Sequence, residues 1–250
     1  MKEKLGFFLL ASLITLSSAH SEPLQEVKAF YGKGRTYITL GSHGGSSLTF
    51  GKDDSADSYG FSYSIENMPV IPDIRVEYHR VEASSSTTAP YSLKIFDLEA
   101  KKGDRVAARV KSNNIKLTLY TQPLDRFNYD FLNMELGLNL NFVDYDTKFS
   151  VSSGTYSSSK SESLSTMVPS IHLNVEVNPV YFATLYVKSA IPVGGKKREK
   201  LLEGGVKYFL NSQIYIFGSY GYSLVKVKDV NSSDLTLSSH AFHGGLAFMW

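Results

Sequence analysis

The chain has 250 residues, and 26 Lys and Arg stand against 24 Asp and Glu. The net charge of +2 points to neither nucleic acid nor an acidic partner. The absence of cysteine excludes a disulfide scaffold and an N-terminal lipidated cysteine. Mean hydropathy is −0.13, out of place for a bundle of membrane helices but ordinary for a barrel with polar inward positions and loops.

In chain order, Lys2 and Lys4 precede the apolar run Leu5 to Leu16, and Ser17-Ser18-Ala19 follows. A basic start, an apolar segment of about a dozen residues and small residues at the cleavage point predict a signal peptide over 1–19. The run is too short for a membrane helix, which needs about 20 residues. Residues 20–250 then form one all-β domain. A first strand is predicted over Lys28 to Gly41, with Phe30, Ile38 and Leu40 on one face and Arg35, Tyr37 and Thr39 on the other. Ser42 to Ala56 reads as a loop, Asp57 to Ile65 as a second strand, and the two prolines between Glu66 and Pro72 as a tight turn.

The third strand alternates Ile74, Val76 and Tyr78 with Arg75, Glu77 and His79, and a long polar loop is expected over Ala83 to Val106. The fourth sets Ile115, Leu117 and Leu119 against Lys116, Thr118 and Tyr120, before a turn at Gln122 to Asp125. The fifth has the clearest period of two: Met134, Leu136, Leu138, Leu140 and Phe142 against Asn133, Glu135, Gly137, Asn139 and Asn141. A Ser-rich loop is predicted around Ser152 to Ser163. The sixth strand sets Ile171, Leu173, Val175 and Val177 against His172, Asn174 and Glu176. Beyond the Asn178-Pro179 turn, Tyr181 to Ala190 is a seventh strand whose faces the pattern does not assign. An eighth runs through Val206, Tyr208 and Leu210, and a ninth over Ile214 to Lys228.

The last stretch, Ser238 to Trp250, places Phe242, Gly244, Leu246, Phe248 and Trp250 on one face. Phe242, Leu246, Phe248 and Trp250 are therefore expected to face lipid and to form the signal read by the barrel-assembly machinery. Long polar loops alternate with short turns through about ten strands, as a membrane barrel requires. Aromatics flank the short turns: Phe127, Tyr129 and Phe131; Tyr181 and Phe182; Tyr208, Phe209, Tyr215 and Phe217; Phe248 and Trp250. Only a closed sheet satisfies its backbone groups in lipid. The predicted fold is an all-β, antiparallel transmembrane β-barrel of about ten strands.

The segment Glu66-Asn67-Met68-Pro69-Val70-Ile71-Pro72-Asp73-Ile74-Arg75-Val76-Glu77-Tyr78 resembles the E-H-P-V-P-x-x-P-N-[IV]-R-L-x-Y segment of a family of small Gram-negative outer-membrane β-barrels. Leu132 to Leu140 is similar to that family's following L-x-L-G-L strand. Asn67 stands where the family usually has His, and Trp250 where Phe is commoner. The resemblance implies the fold and an outer-membrane location, and brings no catalytic residues.

Strand parity turns Arg75, Glu77, His79, Lys116, Glu135, Asn139, His172, Asn174 and Glu176 into the barrel, with Lys207 and His243 as further candidates. Buried charges need partners, so the first reading is a filled polar lumen in a barrel of structural or surface-interaction type. The alternative is a narrow channel for ions or small polar solutes. Glu135 is expected to be charge-paired, with Lys116 on one neighbouring strand and His172 on the other. A third reading is an enzyme, either a protease using Asp53, Asp54, Asp57 and His43, or a lipid-modifying barrel using Ser238, Ser239 and His240. No Asp-x-His follows on a later strand, and no metal spacing or nucleotide fingerprint occurs, so no cofactor is expected. The basic stretch Lys196 to Lys200 suggests contact with lipopolysaccharide phosphates. A monomer in lipid is expected.

Overall fold

The computed structural model describes residues 24–42, 47–50, 55–67, 72–95, 98–124, 131–154, 156–193, 197–230 and 233–250. The expected signal peptide, His43, Asp53, Asp54, Met68 to Ile71, Phe127, Tyr129 and Gly194 to Lys196 lie outside the described residues.

Thirteen strands are present: β1 Leu24–Ser42, β2 Ser47–Phe50, β3 Ser55–Glu66, β4 Asp73–Thr88, β5 Leu93–Ile95, β6 Leu98–Ala100, β7 Arg105–Thr121, β8 Leu132–Ser153, β9 Tyr156–Val180, β10 Ala183–Pro192, β11 Lys197–Phe209, β12 Ile214–Val230 and β13 Ser233–Met249. Ten of them, β1, β3, β4 and β7 to β13, pair antiparallel in chain order. β13 then pairs with β1 from Glu26–Met249 to Ser42–Ser233, closing the sheet into the expected barrel. Cross-strand partners followed once round from Gln25, with the β10–β11 register carried one residue past Ala190–Leu201 to Ile191 and Lys200, return to β1 at Tyr37, 37 − 25 = 12 residues along it. With ten strands about 4.8 Å apart and a rise of about 3.3 Å per residue, that stagger tilts the strands by about 40°. Leu24, Trp250 and the short turns share one end, termed proximal; the other end is distal.

The strands are longer than their hydrophobic runs. The expected loop at Ser152 to Ser163 is a strand hairpin instead, turning at Gly154 with φ of 58° and paired from Ser153–Tyr156 inward. The expected loop at Ala83 to Val106 contains the end of β4, the β5–β6 hairpin and the start of β7. Its last turn is held by the Lys101 N–H donating to Asp104 Oδ2 at 2.8 Å, which holds the Asp104 carboxyl below its ordinary range.

These extensions exist because the hydrophobic pattern changes phase along the strands. On β8, Leu136, Leu138 and Phe142 are exposed outward while Glu135, Asn139 and Asn141 are buried inward. After Phe142 the order reverses: Val143, Tyr145, Phe149 and Val151 are buried inside, and Asp144, Asp146 and Lys148 face out. β7 makes the same switch, with Ile115 and Leu119 outside near the proximal end and Val106, Ala108 and Val110 inside distally. The proximal part therefore has an apolar exterior and a polar lumen. The distal part has a core like that of a water-soluble domain.

β2 pairs with the distal end of β1 in the wall and turns Leu48 and Phe50 inward, and Leu98 and Ala100 of β6 pack with them, Ile38, Phe149 and Val151 in that core. The Phe50 and Phe149 ring centroids are 6.4 Å apart. Phe149→Ala is expected to cost about 3–5 kcal/mol in equilibrium unfolding, because a fully buried ring leaves a cavity. Ser161→Ala on the exposed face of the same hairpin should stay within about 0.5 kcal/mol. Equal costs for the two substitutions would mean that the distal end is not a packed core.

Candidate functional site in the barrel lumen

The proximal lumen is filled by long ionic side chains. Arg75 of β4 donates from both terminal nitrogens to the Glu135 carboxylate of β8, at 3.0 Å each. His172 Nε2 lies 2.8 Å from Glu135 Oε2, and the His172 side chain is fully buried. The Arg75 guanidinium sits 4.7 Å from the Tyr120 ring centre, and the Tyr120 hydroxyl donates to Glu66 at 2.8 Å. Gln122 donates to Glu66 and Asn133 to Gln122, extending the cluster to the proximal rim. Beside it, Lys207 donates to both oxygens of Glu176, at 2.6 and 2.7 Å, and Asn174 donates to the same carboxylate at 2.9 Å. Lys28 pairs with Glu26 at 2.8 Å, and Glu26 accepts from the Tyr215 hydroxyl.

One layer further in, Lys188 pairs with Glu77 at 3.0 Å, Lys116 with Glu199 at 3.3 Å, and Tyr186 donates to Glu203 at 3.0 Å. Thr118 donates to Asn139, which donates to Ser170. His79, His243 and Phe30 form a cluster of rings with centroids 5.5–5.9 Å apart. From Lys28, Arg75, Glu176 and Lys207 past this layer to Ser223 and Val225, a cavity of about 160 Å³ remains. It is roomy because the wall from β12 round to β3 carries Gly34, Ala56, Ser58, Gly221, Ser223 and Ala241. The rings of Tyr186 and Phe217 lie against the glycines beside them. A Cβ at Gly205 would come within 2.6 Å of Tyr186, and one at Gly245 within 2.7 Å of Phe217.

All eight residues expected in the lumen network, Arg75, Glu77, His79, Lys116, Glu135, Asn139, His172 and Glu176, point inward, as do Asn174, Lys207 and His243. They form several separate clusters. Glu135 is held by His172 and by Arg75, two strands away, which reaches it past the small Thr118. Lys116, the other partner expected for Glu135, bonds Glu199. Glu26, Glu66, Lys188, Glu199 and Glu203 join them beyond the expected set: Glu199 lies in the basic stretch Lys196 to Lys200, on β11, and Lys188 on the strand whose faces the pattern does not assign.

Of the aromatics near the short turns, Phe131, Tyr181, Phe182, Tyr208, Phe248 and Trp250 are exposed, whereas Tyr215 is buried in the lumen beside Phe209 and Phe217. A second outward ring, with Tyr31, Tyr59, Phe142, Tyr220 and Phe242, lies about 20 Å towards the distal end. Ser239 faces inward and bonds Ser223 at 2.7 Å, while His240 faces outward against Tyr220 and Tyr222, so the two make no dyad. Asp57 accepts from the Tyr31 hydroxyl at 2.8 Å. Among the described residues no group of three His, Asp or Glu is placed to hold a metal ion.

An apolar belt between two aromatic rings outside, with ion pairs inside a closed antiparallel sheet, defines a transmembrane β-barrel. No family model matches the chain, and no curated protein matches it in sequence. Among solved structures it is similar to the translocator domain of the autotransporter NalP from Neisseria meningitidis, at 14% identity over 99% of this chain and 95% of that one, TM-score 0.44. It is also similar to Ail, the attachment invasion locus protein of Yersinia pestis, at 12% identity over 92% and 100%, TM-score 0.35. A third likeness is the transport unit of the autotransporter AIDA-I from Escherichia coli, at 7% identity over 98% and 96%, TM-score 0.39.

Proposed function

We propose that the chain is an integral outer-membrane barrel with a closed lumen, acting as a structural or surface-interaction element and not as an enzyme. The observation that carries this reading is the double closure of the interior. The β5–β6 hairpin lies across an apolar distal core, from β1 to β8 and β9, and the Arg75–Glu135–His172 and Lys207–Glu176 pairs occupy the proximal lumen. In this reading the short turns face the periplasm and the distal extension stands outside the cell. Phe242, Leu246, Phe248 and Trp250 present the assembly signal, and the protein is a monomer surrounded by lipid and lipopolysaccharide.

Planar-bilayer recording of the purified protein is expected to give insertion without stepwise conductance. A stable open level after each insertion would overturn the closed-lumen reading in favour of a narrow channel through the cavity, which is the observation that favours that alternative. Membrane fractionation together with heat-modifiable gel mobility tests the location, with a soluble product as the contrary result. Unchanged lipid A masses in cells with and without the protein are expected if it carries no lipid-modifying activity.

A further inference from the structure

We infer that the outward face of β11, β12, β13 and β1, just beyond the apolar belt, binds a phosphate-bearing glycolipid of the outer leaflet. This rests on the outer-membrane reading above. With a tilt of about 40°, each residue climbs about 2.5 Å along the barrel axis, and each strand crossed along a hydrogen-bonded row adds about 3 Å. Lys33 of β1 and Lys200 of β11 therefore reach one level, about 20 Å above Gln25 and level with the distal aromatic ring. Arg35, Arg198, Lys226 and His240 stand within about 10 Å beyond them, on the same outward face.

Four of these cations, Lys33, Arg35, Lys200 and Lys226, carry the argument. Among the described residues no carboxylate lies within ion-pair distance of Lys33, Arg35, Lys200 or Lys226, and the nearby Asp57 accepts from Tyr31. Other sectors differ. On β4 and β7, Arg80, Arg109 and Lys111 already share Glu82. The β8–β9–β10 sector meets the same level with Asp144, Asp146 and serines.

Below the cations, Tyr220, Phe242 and Leu202 are exposed on the belt, where acyl chains would lie. β11 and β1 are three strand spacings apart, about 14 Å, so the arc suits a headgroup with more than one phosphate. Arginine and lysine bind such groups by charge-assisted hydrogen bonds at the membrane surface.

The test is titration of the purified full chain in detergent with lipopolysaccharide carrying its lipid A phosphates, and with the same material dephosphorylated. The combined variant Lys33→Gln, Arg35→Gln, Lys200→Gln and Lys226→Gln is expected to bind the phosphorylated form about ten-fold more weakly or worse. Wild type should bind the dephosphorylated form no better than that variant does, and should lose the phosphorylated form as salt is raised. A control variant, Arg109→Gln with Lys148→Gln, should bind like wild type. Equal binding by the four-site variant, or equal binding of the dephosphorylated lipid by wild type, would overturn the proposal. Heat-modifiable mobility establishes that each variant is folded, and the wild-type salt and dephosphorylation arms need no variant. Fractionation of wild type tests the location separately, so failure of the site and failure of the outer-membrane reading give different results.

Discussion

Glu135→Gln is expected to destabilise the barrel by about 3 kcal/mol, measured by equilibrium urea unfolding in detergent or liposomes. The substitution keeps the shape and removes the charge that two parallel Arg75 bonds and His172 converge on. Arg75 is then left buried with Glu66 at 3.6 Å as its remaining carboxylate. Stranding one member of a buried pair costs more than deleting both. The double variant Arg75→Met, Glu135→Met should therefore unfold closer to wild type than Glu135→Gln does. Lys116→Gln should add to Glu135→Gln within about 0.5 kcal/mol, because Lys116 bonds Glu199 in a different cluster. Wild-type stability for Glu135→Gln would mean that the proximal ion pairs do not hold the lumen together. Strong coupling between the two substitutions would mean that Glu135 and Lys116 belong to one network after all.

Which residues face the lumen was legible from parity wherever one face of a strand is uniformly apolar. β8 from Met134 to Phe142 and β9 from Ile171 to Val177 assign Glu135, Asn139, His172 and Glu176 without reference to any neighbour. Partner choice was not legible, because it depends on register. A stagger of twelve residues over ten strands decides that Arg75, and not Lys116, comes level with Glu135. On β10 the assignment failed for a different reason. Tyr186 lies inward over Gly205 and Lys188 inward on Glu77, so aromatic and aliphatic-stemmed residues occupy the polar face and blur the alternation.

The distal half was missed because its pattern is inverted. Val143 directly after Phe142 reads as a break in alternation, but it marks the point where the exterior changes from apolar to polar. Serine-rich β9 has little hydrophobicity to read, since Leu164 and Val168 are its few inward apolar residues in that part. Its strand is set by pairing to β8 rather than by its own composition.

Leu138→Arg is expected to be the most damaging outward substitution, costing about 2–4 kcal/mol on folding into liposomes. Leu138 is 57% exposed, between Leu119 and Ile171 on the neighbouring strands, about 12 Å above Gln25 and so near the middle of the belt. A guanidinium there would sit in hydrocarbon with no inward route, because Asn139 beside it already fills the lumen side through Thr118 and Ser170. Phe248→Arg, at the proximal edge of the belt, should cost only about 0–1 kcal/mol, since the penalty falls with distance from the midplane. Asp144→Arg lies on the same face of β8 as Leu138, six residues on and past the change of phase, and should stay within about 0.5 kcal/mol. The three measurements together trace the belt along the barrel. Equal costs for Leu138→Arg and Asp144→Arg would remove the membrane from the account of this exterior, and a larger cost for Phe248→Arg than for Leu138→Arg would shift the belt towards the proximal end.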